Sequence, residues 1–206
     1  MSLGANTVII DYGMGNLRSV EKAVCAVGGS AVLSGDAECV RHADRLILPG
    51  VGAFGDAMEN IRRAGLDPAI SEAVGAGKPL LGLCLGLQLL FSESEEFGCH
   101  RGLDFIAGKV RKFADPGLRV PHVGWNQIEI VRPGPILEKT PDGSYFYFVH
   151  SFFVEPDDPA DVMCWTDYGH RFCSVAGRGN VWGAQFHPEK SQDAGKQLLR
   201  NFLALG

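Results

Sequence analysis

The chain contains 206 residues, of which 46% are apolar and 21% are charged. This balance is typical of globular proteins and excludes a disordered or fibrous chain. The net charge of −5 offers no basic surface to nucleic acid or to an anionic membrane, so we expect a small-molecule or protein partner.

The sequence indicates a cytoplasmic protein. The longest apolar window, residues 80–91, is too short to span a membrane and is interrupted by Gly82, Gly86 and Gln88. The first residues lack the basic flank and apolar core of a signal peptide. Six cysteines without a CxxC pair indicate reduced thiols rather than a disulfide framework.

Strands and helices alternate in the first half of the chain. Apolar β-type runs predict strands at residues 7–11, 45–48 and 79–83. Helical spacing predicts helices over residues 17–27 and 54–64, a third with Asp67 as its N-cap and Pro68 at its first position, and a fourth from Leu85. This alternation predicts an α/β fold with an open, mostly parallel twisted sheet flanked by helices, as in flavodoxin-like proteins.

The pattern changes after about residue 105, where helical periodicity ends. Short β-type runs predict strands at residues 145–153, 162–166, 171–176 and 181–186, several of them antiparallel neighbours. A last amphipathic helix is predicted over residues 193–203. No linker or repeat separates the halves, so we expect a single domain over residues 1–206 with an antiparallel extension in its C-terminal half.

A cysteine between two glycines carries the first sign of chemistry. Gly82, Cys84 and Gly86 lie where a buried strand passes into a helix, which is the pattern of a nucleophile elbow. The helix N-terminus would favour the thiolate form of Cys84. By itself the pattern also fits a buried structural cysteine.

A base for this nucleophile is available late in the chain. His187 follows the last β-type run, and Pro188 favours an extended backbone at His187. In an extended segment Glu189 would lie on the same side as His187 and orient its imidazole, which makes a Cys-His-Glu triad possible. Among the other histidines, we expect His122 and His150 to make structural hydrogen bonds.

Backbone N–H groups could complete an acyl-transfer site. The glycine-rich loop at residues 49–52 can turn an N–H toward the elbow, and the N–H of Leu85 is the second candidate donor. Without the triad, this loop reads as an ordinary strand-to-helix turn. The chain has no complete dinucleotide fingerprint, no phosphate-binding loop and no zinc-ligand spacing, so we expect no cofactor and no metal.

These motifs resemble those of the class I, or triad, glutamine amidotransferases. The elbow GLCLGLQ (residues 82–88) and the late string QFHPEKS (185–191) are specific to that class. Within it, four further strings are most similar to the glutaminase subunits of imidazole glycerol phosphate synthases, which act in histidine biosynthesis. They are DYGMGNL (11–17), LPGVGAF (48–54), VPHVGWN (120–126) and YFVHS (147–151).

The resemblance implies a role for each matching residue. Cys84 is the nucleophile, His187 is the base and then the acid, and Glu189 orients His187. The N–H of Val51 contributes to the oxyanion hole. The substrate, L-glutamine, is held by the side chains of Gln88 and Glu96 and by the backbone of Gly52, Ser151 and Phe152. Glu96 has a neighbouring alternative in Glu95.

The resemblance also implies a partner. In the family, ammonia passes to a separate cyclase subunit, a (β/α)₈ barrel of about 250 residues, in a heterodimer. That subunit converts the ribulosyl intermediate PRFAR into imidazole glycerol phosphate and aminoimidazole carboxamide ribotide. The residues expected to face it are Asn16, Val123, Trp125 and Lys190. Trp125 could instead be a core aromatic residue, and Lys190 a solvated charge.

Three alternatives stay open. The chain could be the amidotransferase subunit of another pathway, such as pyridoxal phosphate, anthranilate or purine synthesis, since all share the triad. It could be a non-catalytic binding module of the same fold, although such a module has no need of the triad. A DJ-1-like or peptidase relative with a cysteine elbow is disfavoured by the late His-Pro-Glu and by Gln88.

Overall fold

The computed structural model describes residues 6–114 and 117–205. The helices are α1 (Leu17–Ala26), α2 (Ala37–Arg41), α3 (Phe54–Arg63), α4 (Leu66–Gly75), α5 (Leu85–Leu89) and α6 (Gln192–Leu203). The strands are β1 (Thr7–Ile10), β2 (Ala31–Ser34), β3 (Arg45–Gly50), β4 (Leu80–Cys84), β5 (Phe91–Ser94), β6 (His100–Arg101), β7 (Ile106–Lys112), β8 (His122–Gln127), β9 (Glu129–Ile130), β10 (Tyr145–His150), β11 (Phe152–Pro156), β12 (Val162–Tyr168), β13 (His170–Arg178) and β14 (Val181–Ala184). Residues 1–5, where no signal peptide is expected, lie outside the described part.

The main sheet has a parallel half and an antiparallel extension. Strands β2, β1, β3, β4 and β14 lie side by side and run parallel. Beyond β14 the sheet continues through β13, β11 and β7 with antiparallel pairing, and β5 then joins β7 in parallel. Strands β8 and β10 form a separate antiparallel pair. The predicted fold class is confirmed.

Alternating side chains of the parallel strands build a core on each face of the sheet. On one face Leu46 and Leu80 pack with residues of α3 and α4, such as Met58. On the other face Ile47 and Leu81 pack with residues of α1 and α6. Because both faces are covered, these strands are continuously apolar, which is the pattern that made them readable in the sequence.

Three predicted elements are wrong in extent. The strand predicted over residues 145–153 is two strands in different sheets, because the chain leaves the β8–β10 pair and joins β7 after Ser151. The helix starting at Leu85 ends at Leu89, and the apolar run continues as β5. Helix α4 begins at Leu66 after Gly65, whose left-handed backbone (φ 66°) starts the helix, so Asp67 and Pro68 lie inside its first turn.

The sequence patterns also missed β2, α2, β5, β6 and β9, which are too brief for a clear period, and the longer strands β7 and β8. Within the described residues, no helix has the length and apolar character needed to cross a membrane.

Candidate active site

The site lies at the carboxyl ends of three adjacent parallel strands. Gly50 at the end of β3 is paired with Cys84 at the end of β4, and β14 on the other side of β4 leads directly to His187. Ligand sites of open parallel sheets form at this edge, where the loops that follow neighbouring strands meet.

Cys84 occupies a strained turn between β4 and α5. Its backbone has φ 55° and ψ −109°, a conformation that is unusual for a residue with a side chain. A side chain at Gly86 would collide with the Leu48 carbonyl, and one at Gly82 would collide with the Gly86 backbone. The two glycines therefore allow the turn, which places the thiol at the sheet edge.

His187 and Glu189 form a buried pair. His187 Nδ1 lies 2.8 Å from Glu189 Oε1, and the two side chains are 6% and 3% exposed. The route to this contact differs from the expected extended segment: only His187 is extended, and a 3₁₀ turn at Pro188–Lys190 folds Glu189 back onto it. Ser191 secures the turn by donating its hydroxyl to the His187 carbonyl at 2.6 Å.

The environment of His187 favours its charged form. Burial by itself lowers the pKa of His187, but the interactions with Cys84 and with the Glu189 carboxylate outweigh burial and raise that pKa to about 9. His187 Nε2 is buried and makes no hydrogen bond to the part of the chain described. The arrangement therefore supports an imidazolium beside the Cys84 sulfur at neutral pH.

A pocket of about 290 Å³ opens beside these groups. Its volume lies near the lower end of small-molecule sites, which suits a single amino acid. Every residue expected to be catalytic, oxyanion-binding or substrate-binding lines it except Glu189, which lies behind His187. The lining is Val51, Gly52, Cys84, Leu85, Gln88, Glu96, Val149, His150, Ser151, Phe152 and His187.

The carboxylate next to the pocket is Glu96 rather than Glu95. Glu96 Oε2 accepts a hydrogen bond from the Phe54 N–H at 2.7 Å, which also caps the start of α3. Glu95 is exposed, and its carboxylate accepts from the Lys112 N–H on β7 at 3.1 Å. A wider groove of about 700 Å³ along α3 shares Glu96 but contains none of the triad.

Gln88 is held by the protein itself. Its Nε2 donates to the Phe152 carbonyl at 3.0 Å and to Gln185 Oε1 at 3.2 Å, so a ligand would reach this amide through Oε1. Gln185 in turn directs its Nε2 at Cys84 Sγ, 3.8 Å away. Gln185 had no expected role, although its position two residues before His187, at the end of a predicted strand, was a usable signal.

The loop at residues 49–52 packs against the segment that follows β1. Tyr12 is buried and donates its hydroxyl to the Pro49 carbonyl at 2.9 Å. Burial, and then the charge at Cys84, raise the pKa of Tyr12, so it remains a donor at neutral pH. Gly52 has φ 103°, and a side chain there would meet Met14. No side-chain role was expected for Tyr12.

The four residues expected to face a partner are exposed. Val123 and Trp125 on β8 are 55% and 47% exposed, so Trp125 is not a core aromatic residue. Asn16 lies between β1 and α1, at the same edge as the pocket, and Lys190 lies in the turn that carries Glu189. Tyr147 joins two of them, because Trp125 packs edge-on against its ring and Lys190 Nζ lies 5.7 Å from the ring centre.

Comparison with known proteins identifies the family. The family model for class I glutamine amidotransferases matches residues 8–205. The chain belongs to this family.

In the residues described, no group of three or more acidic, histidine or cysteine side chains could hold a metal ion.

Curated relatives indicate the branch of the family. The chain is 52% identical over 203 residues to the imidazole glycerol phosphate synthase subunit HisH of Syntrophotalea carbinolica, an alignment that spans 95% of this chain and 98% of that protein. The HisH subunit of Aquifex aeolicus is 51% identical, with 95% of each chain covered. Among the family's branches, this amidotransferase is therefore similar to HisH subunits over nearly its whole length.

Solved structures agree on the architecture. A crystal structure of a glutamine amidotransferase superposes with a TM-score of 0.76 at 20% identity, covering 96% of both chains. The structure of PurLQS from Thermotoga maritima gives a TM-score of 0.75 at 19% identity, covering 98% of both chains. At these identities the likeness concerns the fold alone.

Proposed function

We propose that this amidotransferase is the glutaminase subunit of an imidazole glycerol phosphate synthase. The observation that carries the proposal is the pocket in which Cys84 and His187 meet, with Glu189 behind His187 and the expected glutamine-binding residues in its walls. The similarity to HisH subunits over 95% of the chain selects histidine biosynthesis among the pathways that use this chemistry.

The geometry supports a two-step hydrolysis. The Cys84 thiolate attacks the side-chain amide carbon of glutamine, and the N–H groups of Leu85 and Val51 stabilise the oxyanion. The His187 imidazolium donates its proton to the departing ammonia, leaving a thioester on Cys84. Neutral His187 then takes a proton from water, whose oxygen attacks the thioester. The C–S bond breaks, glutamate leaves with its carboxyl proton lost to solvent, and the Cys84 thiolate and the His187 imidazolium are restored.

Each of the supporting groups has a role in these two reaction steps. A His187 pKa of about 9 keeps the ring protonated before the first step, when an acid is needed. Glu189 Oε1 accepts from Nδ1, which leaves Nε2 to handle the reacting proton. Leu85 is the first residue of α5, where backbone N–H groups have no partner within the helix.

Ammonia would pass to a cyclase subunit with a (β/α)₈ barrel, forming a heterodimer. The relatives are named as subunits, and the exposed Val51, Val123 and Trp125 offer an apolar docking surface close to the pocket. All six cysteines are unpaired, which supports a cytoplasmic location.

We also propose that docking completes the oxyanion hole. The glycines at positions 50 and 52 allow the intervening peptides to turn at little cost, and Gly52 already has a positive φ. A missing oxyanion donor lowers the rate by about 10²- to 10³-fold, which is enough for a resting state that does not waste glutamine. A partner that binds one loop conformation would then switch the site on.

The test is a coupled assay with and without the cyclase subunit of histidine biosynthesis. Glutamate release and imidazole glycerol phosphate formation are measured with glutamine and, separately, with ammonium ions. We expect glutamine-dependent synthesis only in the complex, and faster glutamate release when the cyclase and its ligand are present. A complex that makes no product from glutamine would overturn the pathway assignment, and equal glutamate release in all conditions would overturn the loop switch.

A further inference from the structure

A row of hydrogen bonds runs from β8 to the wall of the pocket. Asn126 Nδ2 lies 3.3 Å from His122 Nε2, and His122 Nδ1 lies 3.0 Å from His150 Nε2. His150 Nδ1 lies 2.8 Å from the Phe152 carbonyl oxygen. His150 and Phe152 line the pocket, whereas Asn126 and His122 lie behind it.

The direction of every bond in this row follows from its two ends. The Gln127 N–H donates to Asn126 Oδ1 at 2.8 Å, so the amide presents its NH₂ group to the Asp167 carbonyl and to His122. At the other end the Phe152 carbonyl can only accept. Each histidine must therefore carry its proton on Nδ1 and accept a hydrogen bond at Nε2.

Burial keeps both rings in this neutral form. It lowers the pKa of His122 to about 4 and, as the largest influence, that of His150 to about 3. The His122 ring is further fixed by stacking between Phe148 and Tyr168, at centroid distances of 4.9 and 3.9 Å. A second proton, on Nε2 of either histidine, would face the N–H group that now donates to that nitrogen. The hydrogen bond would be lost and the row broken.

The pocket end of the row is shared with the substrate-binding residues. The Phe152 carbonyl accepts from both His150 Nδ1 and Gln88 Nε2, which together use its two lone pairs. Gln88 also donates to Gln185, which points to Cys84. A change in the His150 tautomer would thus move or unpair groups that form the glutamine pocket.

We propose that His122 and Asn126 are positioning residues for glutamine. They set the His150 tautomer and thereby fix the Phe152 carbonyl and the Gln88 amide against which the substrate binds. The proposal rests on the proposed glutaminase function. Because β8 alternates, it presents His122 and Asn126 inward and the exposed Val123 and Trp125 outward, so the same strand carries the expected partner surface.

Two substitutions at His122 separate hydrogen bonding from packing. His122→Phe keeps an aromatic ring between Phe148 and Tyr168 but removes the donor to His150. His122→Asn loses the ring but keeps an amide near the Nδ1 position. In the complex with the cyclase, we expect His122→Phe to raise the KM for glutamine about three- to tenfold with kcat within twofold, and His122→Asn to stay nearer to wild type. The opposite order would overturn the proposal.

A third substitution, outside the pocket, is designed to reverse the direction of the hydrogen bonds in the row. Asn126 is half-buried, and Asn126→Asp is nearly isosteric. A carboxylate there accepts from His122 Nε2–H, so a neutral His122 accepts from His150 Nε2–H and leaves a lone pair of His150 Nδ1 facing the Phe152 carbonyl. A His122 ring that the carboxylate holds doubly protonated would still donate to His150, and the NMR shifts of the His122 ring nitrogens in this variant show which form is present. We expect KM to rise about three- to tenfold. The matched control is Gln127→Glu, which makes the same chemical change at the exposed neighbour and should leave KM unchanged.

The same assays distinguish failure of this proposal from failure of the proposed function. If the wild-type complex releases no glutamate, or if Cys84→Ala releases as much as wild type, the glutaminase assignment is wrong. If wild type is active and Asn126→Asp, with a neutral His122 ring, behaves like Gln127→Glu, the glutaminase assignment stands and only the positioning role is overturned.

Discussion

His187, which follows β14, and His150, which ends β10, line two walls of one pocket and are almost equally buried, at 5% and 6% exposure. Their pKa values shift in opposite directions, to about 9 for His187 and about 3 for His150. His187 follows the parallel half of the sheet, where Glu189 and Cys84 surround it. His150 ends β10 and meets only a neutral imidazole and a backbone carbonyl along its hydrogen-bonded row.

The difference shows that burial does not determine how a histidine is used. Removal from water lowers the pKa of both residues, and only anionic partners reverse the effect at His187. His187 on one wall of the pocket therefore transfers a proton during the reaction. His150 on the other wall keeps a single proton on Nδ1 throughout. We expect substitutions on the first wall to change kcat and those on the second to change KM.

The largest effect should come from removing the nucleophile. Cys84→Ala should lower glutamine-dependent turnover by about 10⁴-fold or more, because no thioester can form. Synthesis from added ammonium ions should persist, since the acceptor chemistry is on the partner. The measurement is product formation by the complex with each nitrogen source. Normal glutamate release by Cys84→Ala would refute the mechanism.

Glu189→Gln should turn His187 into a residue more like His150. The change is nearly isosteric but removes the anion that stabilises the imidazolium, so the pKa of His187 should fall. We expect kcat to drop by about 10- to 10⁴-fold. The pH dependence of kcat and NMR titration of the His187 ring measure both effects. A variant with wild-type kcat would assign the orienting role to another group.

Tyr12→Phe tests the wall that includes the loop at residues 49–52. It removes only the hydroxyl that holds the Pro49 carbonyl and leaves that acceptor unpaired. We expect kcat to fall about 3- to 30-fold with little change in KM, since the loop acts on the oxyanion rather than on bound glutamine. Steady-state kinetics of the complex provide the measurement, with the exposed Tyr145→Phe as the control. An effect on KM alone would contradict the expectation that the loop, like His187, acts on kcat.

The last effect is on stability rather than on activity, and it depends on pH. Because the pKa values of His122 and His150 are lowered in the folded state, the unfolded state binds more protons between about pH 6.5 and 4, and stability falls on acidification through that window. His187 acts oppositely: its raised pKa contributes stability below about pH 6.5 that is lost as the pH rises through about 9.

His122→Phe removes one of the two histidines whose lowered pKa makes stability depend on pH. The free energy of unfolding of this variant should depend less on pH between 6.5 and 4, by up to about 1.4 kcal/mol per pH unit. Urea unfolding of wild type and variant across this range measures the slopes. Identical slopes would show that folding does not lower the pKa of His122, which contradicts a ring held neutral by burial.

The parallel half of the fold was readable from the sequence because its signals are local. Strands β1, β3 and β4 are buried on both faces and appear as short apolar runs, each followed by glycines or a helical period. The antiparallel half was harder to predict. Residues 145–153 form one β-type run in the sequence, and only pairing with β8 on one side and β7 on the other divides it at Ser151.

The sequence by itself determined the reacting groups. The glycines around Cys84 fix its turn through clashes with nearby backbone, and His187 and Glu189 are two residues apart, so each unit is encoded within a few positions. Family motifs added the residues that line the pocket.

Only the tertiary structure decided which buried polar groups meet and what charge they carry. Tyr12 reaches Pro49 across 37 positions, His122 reaches His150 across 28, and Gln88 reaches Gln185 across 97. No local periodicity encodes such pairs, because each depends on which distant segments the fold places side by side; His122 and His150, for example, lie opposite each other in the β8–β10 pair. The opposite pKa shifts of His150 and His187 have the same origin, since a charge depends on all the groups that surround it in space.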